Sequence, residues 1–324
     1  MISKQEPIGS GFGFKTTAAE VIAGHDLTGK LAIVTGGYSG IGLETTRAFA
    51  SAGAHVIVPA RDMDKAQNNL KDVAGVELAQ LDLIDPGSID SFAREFLNSQ
   101  RPVHILVNNA GIMAVPLIRD TRGYESQFAT NHLGHFQLTA RLWPALLEAN
   151  GARVISVSSR GHRFSGVDFD DPNFERRAYD RWVAYGQSKT ANILFAVALD
   201  ERGQANGVRA FSLHPGRIID TALSRYMTEE ELAPYRPRDM EQRDVTNPED
   251  YVKNVRQGAA TSVWCATSNQ LDGMGGVYCE DCDVAPIAPA DSDGLGVRPY
   301  AIDPELAERL WSLSVTLTAA QIAS

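Results

Sequence analysis

Apolar residues along this chain fall into two alternating patterns. Short unbroken runs open residues 30–42 and occupy residues 54–60, 76–81, 103–107, 153–157 and 208–213, with a seventh at 276–278. Runs of that length and composition read as buried strands. Between them, apolar positions recur at helical spacing over residues 43–52, 63–73, 85–99, 124–150 and 180–201. Asp62 is placed to cap the second of these helices, and Pro144 to kink or divide the fourth. Strands alternating with helices predict an α/β protein built on a single doubly wound parallel sheet, with helices on both faces and right-handed crossovers. The domain so defined spans residues 28–284. Residues 1–27, with a flexible, partly apolar stretch at 9–14 and a short helix at 17–23, form an N-terminal extension. Residues 285–324 form a C-terminal one, whose helix carries an apolar stripe of Leu306, Leu310, Trp311 and Leu313 that docks on the body.

The polar clusters sit where such a sheet binds ligands, beyond the carboxyl ends of its strands. The first strand runs into Thr35-Gly-Gly-Tyr-Ser-Gly-Ile-Gly42, the fourth into Asn108-Asn-Ala-Gly111, the fifth into Ser158-Ser159 and the sixth into His214-Pro-Gly216. Gly36, Gly40 and Gly42 make a turn whose backbone N–H groups can approach a pyrophosphate at a helix N-terminus, as in a Rossmann fold. No Gly-Lys-Ser/Thr closes the turn, so it is not a P-loop. Two segments break the rhythm. Residues 161–182 are long, mixed and partly aromatic, and residues 223–250 are charged and Pro-containing. Both read either as solvated surface or as a lid over a substrate.

Composition narrows the partners. The chain has 324 residues, 44% hydrophobic and 22% charged, with a net charge of −10 and a pI near 5.2. That balance speaks against nucleic acid and anionic membranes as partners. No apolar run is long enough for a membrane span, and the N-terminus lacks the apolar core of a signal peptide. Three cysteines fit a reducing, cytoplasmic compartment. Cys279-Glu-Asp-Cys282 lacks two further ligands at motif spacing, so no metal site is expected and the motif reads as a turn near the last strand.

Two further constellations suggest chemistry. At the end of the second strand, where an acid would bind the free 2′-hydroxyl of NAD, the chain reads Ala60-Arg61-Asp62. A guanidinium there suits a 2′-phosphate and favours NADP over NAD; the alternative is a surface pair of Arg61 with Asp62 or Asp64. Asp82 can meet an adenine amino group or cap the next turn. Tyr185 and Lys189 lie one helical turn apart, and a cation there is expected to lower the phenol pKa and make a general acid/base. Ser158 or Ser159 supplies a hydroxyl beside them.

Taken together, the glycine turn, Asn108-Asn-Ala-Gly111, Asn131, Ser158-Ser159, Tyr185-x-x-x-Lys189 and Pro215-Gly216 resemble the short-chain dehydrogenase/reductase family, in the family's order across residues 28–280. Ala60-Arg-Asp62, Asn131-His-Leu-Gly-His-Phe136, Val157-Ser-Ser159 and Tyr185-Gly-Gln-Ser-Lys-Thr-Ala-Asn192 resemble its retinol dehydrogenase and WW-domain oxidoreductase branch. The resemblance implies an NADP(H)-dependent oxidoreductase acting on a small-molecule alcohol or carbonyl, hydrophobic or aromatic. A non-catalytic NADP(H)-binding regulator and an epimerase or dehydratase on the same fold are the alternatives. It implies Tyr185 as the proton carrier, Lys189 as its support and ribose ligand, Ser159 (or Ser158) on the substrate oxygen, and Asn131 as support for a water leading to Lys189. Gly36, Ser39, Gly40, Ile41, Gly42, Arg61, Asp82, Leu83, Asn109, Ala110, Gly111, Tyr185, Lys189, Pro215, Gly216 and Ile218 would hold the cofactor. Asp220 and Thr221 compete for the place of a Thr that touches the cofactor amide in relatives. Met113, Val115, Phe164, Trp182 and Leu223 are candidates for an apolar substrate wall. Relatives often pair as homodimers or homotetramers through the helices bearing Asn131 and Tyr185.

Overall fold

The computed structural model describes residues 3–218, 221–232, 251–289 and 295–322. Its eight strands are β1 (Leu31–Val34), β2 (His55–Ala60), β3 (Val76–Gln80), β4 (Ile105–Asn108), β5 (Arg153–Val157), β6 (Arg209–His214), β7 (Tyr278–Glu280) and β8 (Asp283–Val284). They form one sheet in the order β3-β2-β1-β4-β5-β6-β7-β8. Every neighbouring pair is parallel except β7 with β8. β1 lies between β2 and β4, so the order reverses there, and the loops leaving β1 and β4 diverge to open a crevice.

The strands are aliphatic on both sides because helices cover both faces. In chain order the helices are α1 (Ala18–Ile22), α2 (Gly40–Ser51), α3 (Met63–Leu70), α4 (Pro86–Asn98), α5 (Ser126–Phe128), α6 (Gly134–Arg141), α7 (Trp143–Glu148), α8 (Arg181–Gly203), α9 (Glu229–Leu232), α10 (Val255–Gly258), α11 (Ala260–Thr267) and α12 (Pro304–Thr318). Phe92, Phe136, Leu146, Leu194 and Leu310 pack from one side against Ile33, Leu106 and Val154. Val21, Phe49, Leu70 and Trp264 pack from the other against Val34, Val56 and Phe211. Each such fully buried side chain contributes about 1.5–3 kcal/mol of transfer free energy. Asp62 accepts from Lys65 N at 3.0 Å and caps α3 as the sequence suggests.

Two elements differ from expectation. The helix predicted over residues 124–150 is divided. A π turn at Ala129–Leu133 separates α5 from α6, and the ladder restarts at α7. Pro144 has no N–H to continue α6, but sits without cost in the first turn of α7. The seventh strand lies two residues later than predicted, at Tyr278–Glu280, and is followed by the antiparallel β8. Asp281 and Cys282 join them with φ of 54° and 61°, the left-handed pair of a tight hairpin turn. The three cysteines are buried and free.

Both extensions lie on the body. Gln5 bonds Tyr278 through its N–H and C=O and also donates to the Ala285 carbonyl, while Ile8, Gly9 and Ser10 donate backbone N–H groups to the Asp283 carboxylate. These contacts cover an edge that would otherwise present unpaired backbone. At the other terminus, Trp311 of α12 packs edge-on to Phe136 at 4.9 Å and parallel to Phe195 at 6.2 Å, and Ser314 bonds His132 at 2.7 Å. α12 therefore lies over the helices that bear Asn131 and Tyr185. Of the predicted lid at 223–250, residues 223–232 are described and the remainder falls outside the described residues.

Candidate active site

A cleft of about 730 Å³ opens along the carboxyl ends of β1, β2, β4, β5 and β6. Its floor is the glycine turn. Gly36 and Gly40 have φ of +65° and +53°, a left-handed backbone that suits glycine. A Cβ on Gly42 would stand 2.5 Å from both the Asn109 side-chain nitrogen and the Gly36 carbonyl oxygen. Gly42 therefore does not line the cleft; its missing side chain lets α2 close on the β4 loop. Thr35 pins the same junction, its hydroxyl accepting from the backbone of Asn109 (2.9 Å) and Ala110 (3.0 Å). Ser39 precedes α2 without capping it, which leaves the first N–H groups of that helix open to the cleft.

One end of the cleft is cationic. Arg61, Lys65 and Arg225 line it, together with Tyr38, Asp62, Asp82 and Leu83. Asp62 is engaged in capping α3, and Asp82 Oδ1 accepts from Ile84 N at 3.3 Å. Among the described residues no acid forms an ion pair with Arg61, Lys65 or Arg225, which sets aside a surface pair of Arg61 with Asp62 or Asp64. Burial raises the Tyr38 pKa; the charges of Arg61 and Arg225 oppose the rise, and those of Asp62 and Asp82 add to it.

The opposite end is buried and densely bonded. Tyr185 is 3% exposed and Lys189 4%. Lys189 Nζ donates to the Val157 carbonyl at 3.0 Å and lies 5.8 Å from the Tyr185 ring centre. Burial holds its pKa down at about 8. The phenol behaves opposite to the sequence expectation: burial pushes it up to about 12, and a hydrogen bond with Ser159 only moderates the rise. The cost of placing a phenolate out of water outweighs the neighbouring cation, which is held by a carbonyl. Ser159 and Ser158 divide as strand alternation requires. Ser158 donates to the Lys189 carbonyl at 2.7 Å, whereas Ser159 faces the phenol and accepts from Gly161 N at 3.0 Å.

Asn131 sits on the π turn, behind the cleft wall. Its side chain accepts from Ile112 N and donates to Ile112 O and Ser188 Oγ, each at 2.9 Å; Ser188 in turn donates to the Tyr185 carbonyl at 2.8 Å. Gly111 leaves room for both Asn131 and Lys189, since a Cβ there would lie 3.1 Å from Asn131 Oδ1 and 3.5 Å from Lys189 Nζ. The extra residue of a π turn aims a side chain that a regular helix would rotate away.

The cleft thus gathers Gly36, Ser39, Gly40, Ile41, Arg61, Asp82, Leu83, Asn109, Ala110, Gly111, Ser159, Tyr185, Lys189, Pro215, Gly216 and Ile218, with Gly42 and Asn131 directly behind it. Thr221 lines the cleft over the glycine turn, 3.4 Å from where a Cβ of Gly40 would stand, and Asp220 lies outside the described residues. Met113, Phe164, Trp182 and Leu223 line its mouth, and Val115 is buried elsewhere. Phe164, Trp182 and Tyr185 form an edge-to-face series with ring centres 5.9 and 6.4 Å apart. The middle of segment 161–182 folds away, with Tyr179 bonded to Val115 O and Glu125. Sequence reading missed Tyr38, Lys65, Arg225 and Gly161. A Cβ on Gly161 would stand 2.6 Å from Tyr185 Cε1, so that glycine makes room for the phenol ring. Its signal was a glycine two positions after Ser159. No group of residues able to hold a metal occurs among the described residues, and no helix there is long and apolar enough to cross a membrane.

Comparison with known proteins places this arrangement. Residues 30–232 match the family model described as short chain dehydrogenase. A Streptomyces lividans protein named "Probable oxidoreductase" is 45% identical over 88% of this chain and 96% of its own length. The human WW domain-containing oxidoreductase is 36% identical over 95% of this chain and 73% of its own. Among solved structures, an uncharacterised protein of Mycobacterium paratuberculosis superposes with a TM-score of 0.71 at 31% identity, covering 96% of this chain and all of the other.

Proposed function

The chain belongs to the short-chain dehydrogenase/reductase family, and we propose that it is an NADP(H)-dependent oxidoreductase interconverting an alcohol and a carbonyl, with Tyr185 as the acid/base. The observation that carries this reading is the pairing, in one cleft, of an open glycine turn with a buried Tyr185–Ser159–Lys189 cluster. The cradle suits a dinucleotide: two left-handed glycines and an uncapped helix N-terminus present N–H groups where side chains would otherwise stand. Gly36, Ser39, Gly40, Ile41 and the close packing at Gly42 would take the pyrophosphate. Asp82 and Leu83 would flank the adenine, and Arg61 would take the 2′-phosphate. Asn109, Ala110, Gly111, Tyr185 and Lys189 would hold the nicotinamide ribose, and Pro215, Gly216 and Ile218 the ring. The nicotinamide, when bound, supplies or accepts the hydride.

The chain's own residues handle the proton. With its pKa near 12, the Tyr185 phenol is protonated at neutral pH and ready to donate to a carbonyl oxygen. Ser159 donates a hydrogen bond to the same oxygen. Lys189, cationic below about pH 8, stabilises the phenolate left behind. Asn131 is a positioning residue, acting on Tyr185 through Ser188 and on the Gly111 backbone through Ile112. The aromatic series at the mouth favours a hydrophobic or aromatic substrate, and the buried free thiols favour a reducing, cytoplasmic setting.

A panel of hydrophobic and aromatic aldehydes and ketones, assayed with NADPH and NADH in parallel, tests this reading. Turnover of at least one carbonyl with NADPH, and markedly less with NADH, is the expected result. Equal rates would remove the role of Arg61, and failure to bind either nucleotide would remove the function.

A further inference from the structure

The segment beyond the Pro215-Gly216 turn contributes six residues, within 221–227, to the wall of the cleft. Thr221 sits against the glycine turn, and Leu223 and Met227 line the cleft beyond it. At its far end Glu231 pairs with Arg181 and accepts from Trp182 Nε1 at 3.4 Å, while Arg181 also donates to Tyr226 O at 3.2 Å. Arg181 and Trp182 begin α8, one turn before Tyr185. Between these two attachments lies Arg225. Its guanidinium lies 5.0 Å from the Tyr226 ring centre, and Arg225 lines the cleft together with Tyr38, Arg61 and Lys65. Arg225 forms no ion pair among the described residues. Arg61, Lys65 and Arg225 thus line one cleft and form no ion pair among the described residues, a set of donors that suits an anionic ligand.

We propose that Arg225 is a second cofactor-specificity residue: it joins Arg61 on the 2′-phosphate of the adenosine ribose, and that phosphate fastens residues 221–231 across the cleft. The inference rests on the NADP(H) reading above and adds to it a contact from outside the β2 turn. A planar guanidinium binds a phosphate bidentately, so two of them from different parts of the chain can share one phosphate. The phosphate then adds a tie between the β2 turn and residues 221–231, beyond the seat of Thr221 on the glycine turn. Because the same segment is attached to Arg181 and Trp182, discrimination between NADP and NAD becomes coupled to the ordering of the substrate mouth.

The test uses adenosine 2′,5′-bisphosphate and adenosine 5′-monophosphate, which carry no nicotinamide, so binding is read without turnover. Calorimetry on the full chain compares the wild type with Arg225→Gln and Arg61→Gln. Arg225→Gln is expected to weaken the bisphosphate about ten- to thirtyfold and the monophosphate less than about twofold. Hydrogen exchange across residues 221–231 is expected to slow with the bisphosphate in the wild type, but not in Arg225→Gln. If Arg61→Gln loses bisphosphate affinity while Arg225→Gln keeps it, this inference is overturned and the proposed cofactor preference stands. A wild type that binds both nucleotides equally overturns both.

Discussion

The two ends of the cleft work by opposite means. At the end proposed for the adenosine, Arg61, Lys65 and Arg225 are exposed and form no ion pair among the described residues. At the catalytic end, Tyr185, Lys189, Ser158 and Asn131 are buried, and each has a partner. Loose cations give attraction and discrimination at little structural cost, since their charge is solvated until a ligand arrives. Buried groups give fixed geometry, but at a cost to their charged forms, visible as a phenol raised to about 12 and an ammonium lowered to about 8. Substitutions at the first end should therefore change affinity, and those at the second should change turnover and stability.

The largest separation is expected from Lys189→Met. Carbonyl reduction should fall about 10²–10⁴-fold, the usual contribution of a positioned acid and its support. The folded chain should nevertheless gain stability. Lys189 has its pKa lowered by burial, so at neutral pH the fold carries a desolvated charge that the unfolded chain does not. The Val157 carbonyl keeps a donor in Asn192 at 3.1 Å after the substitution. Calorimetry should show a melting temperature about 2–4 °C higher. A lower melting temperature would mean that Lys189 also serves the fold.

Gly161→Ala should act next most strongly. Its Cβ would press on the phenol ring at 2.6 Å, so turnover should drop about 10²-fold while NADPH affinity is kept. Fluorescence titration alongside steady-state rates checks the split, and an unchanged kcat would argue against a ring held in place from that side. Arg61→Gln should raise the KM for NADPH about tenfold and leave that for NADH unchanged. The mildest effect concerns pH. Reduction should be level below about pH 8 and decline above it, because Lys189 then loses the proton that stabilises the phenolate. A profile level to pH 10 would contradict that role.

The contrast also explains what the sequence could disclose. Strands and glycine turn are legible because local pattern determines them: β1 is an apolar run, and the turn must have φ values that suit glycine. Tyr185 and Lys189 are legible because helical spacing alone brings them together. The direction of the phenol's pKa shift was not, since it depends on how completely α8 is buried and on Lys189 bonding to Val157, both tertiary facts. Arg225 was not legible because it meets the cleft of Tyr38 from 187 positions further along the chain, in a connecting segment with no motif of its own. The π turn under Asn131 was hidden within what reads as continuous helix.

The central claim is that Tyr185 delivers a proton to a substrate oxygen at a site where NADPH is bound. The most direct test is single-turnover reduction of the best carbonyl from the panel with 4-deuterated NADPH, comparing the wild type with Tyr185→Phe. The account predicts deuterium on the new carbinol carbon with the wild type, and a rate at least about 10²-fold lower for the variant at saturating NADPH. A variant that reduces the carbonyl at a near-normal rate would contradict it.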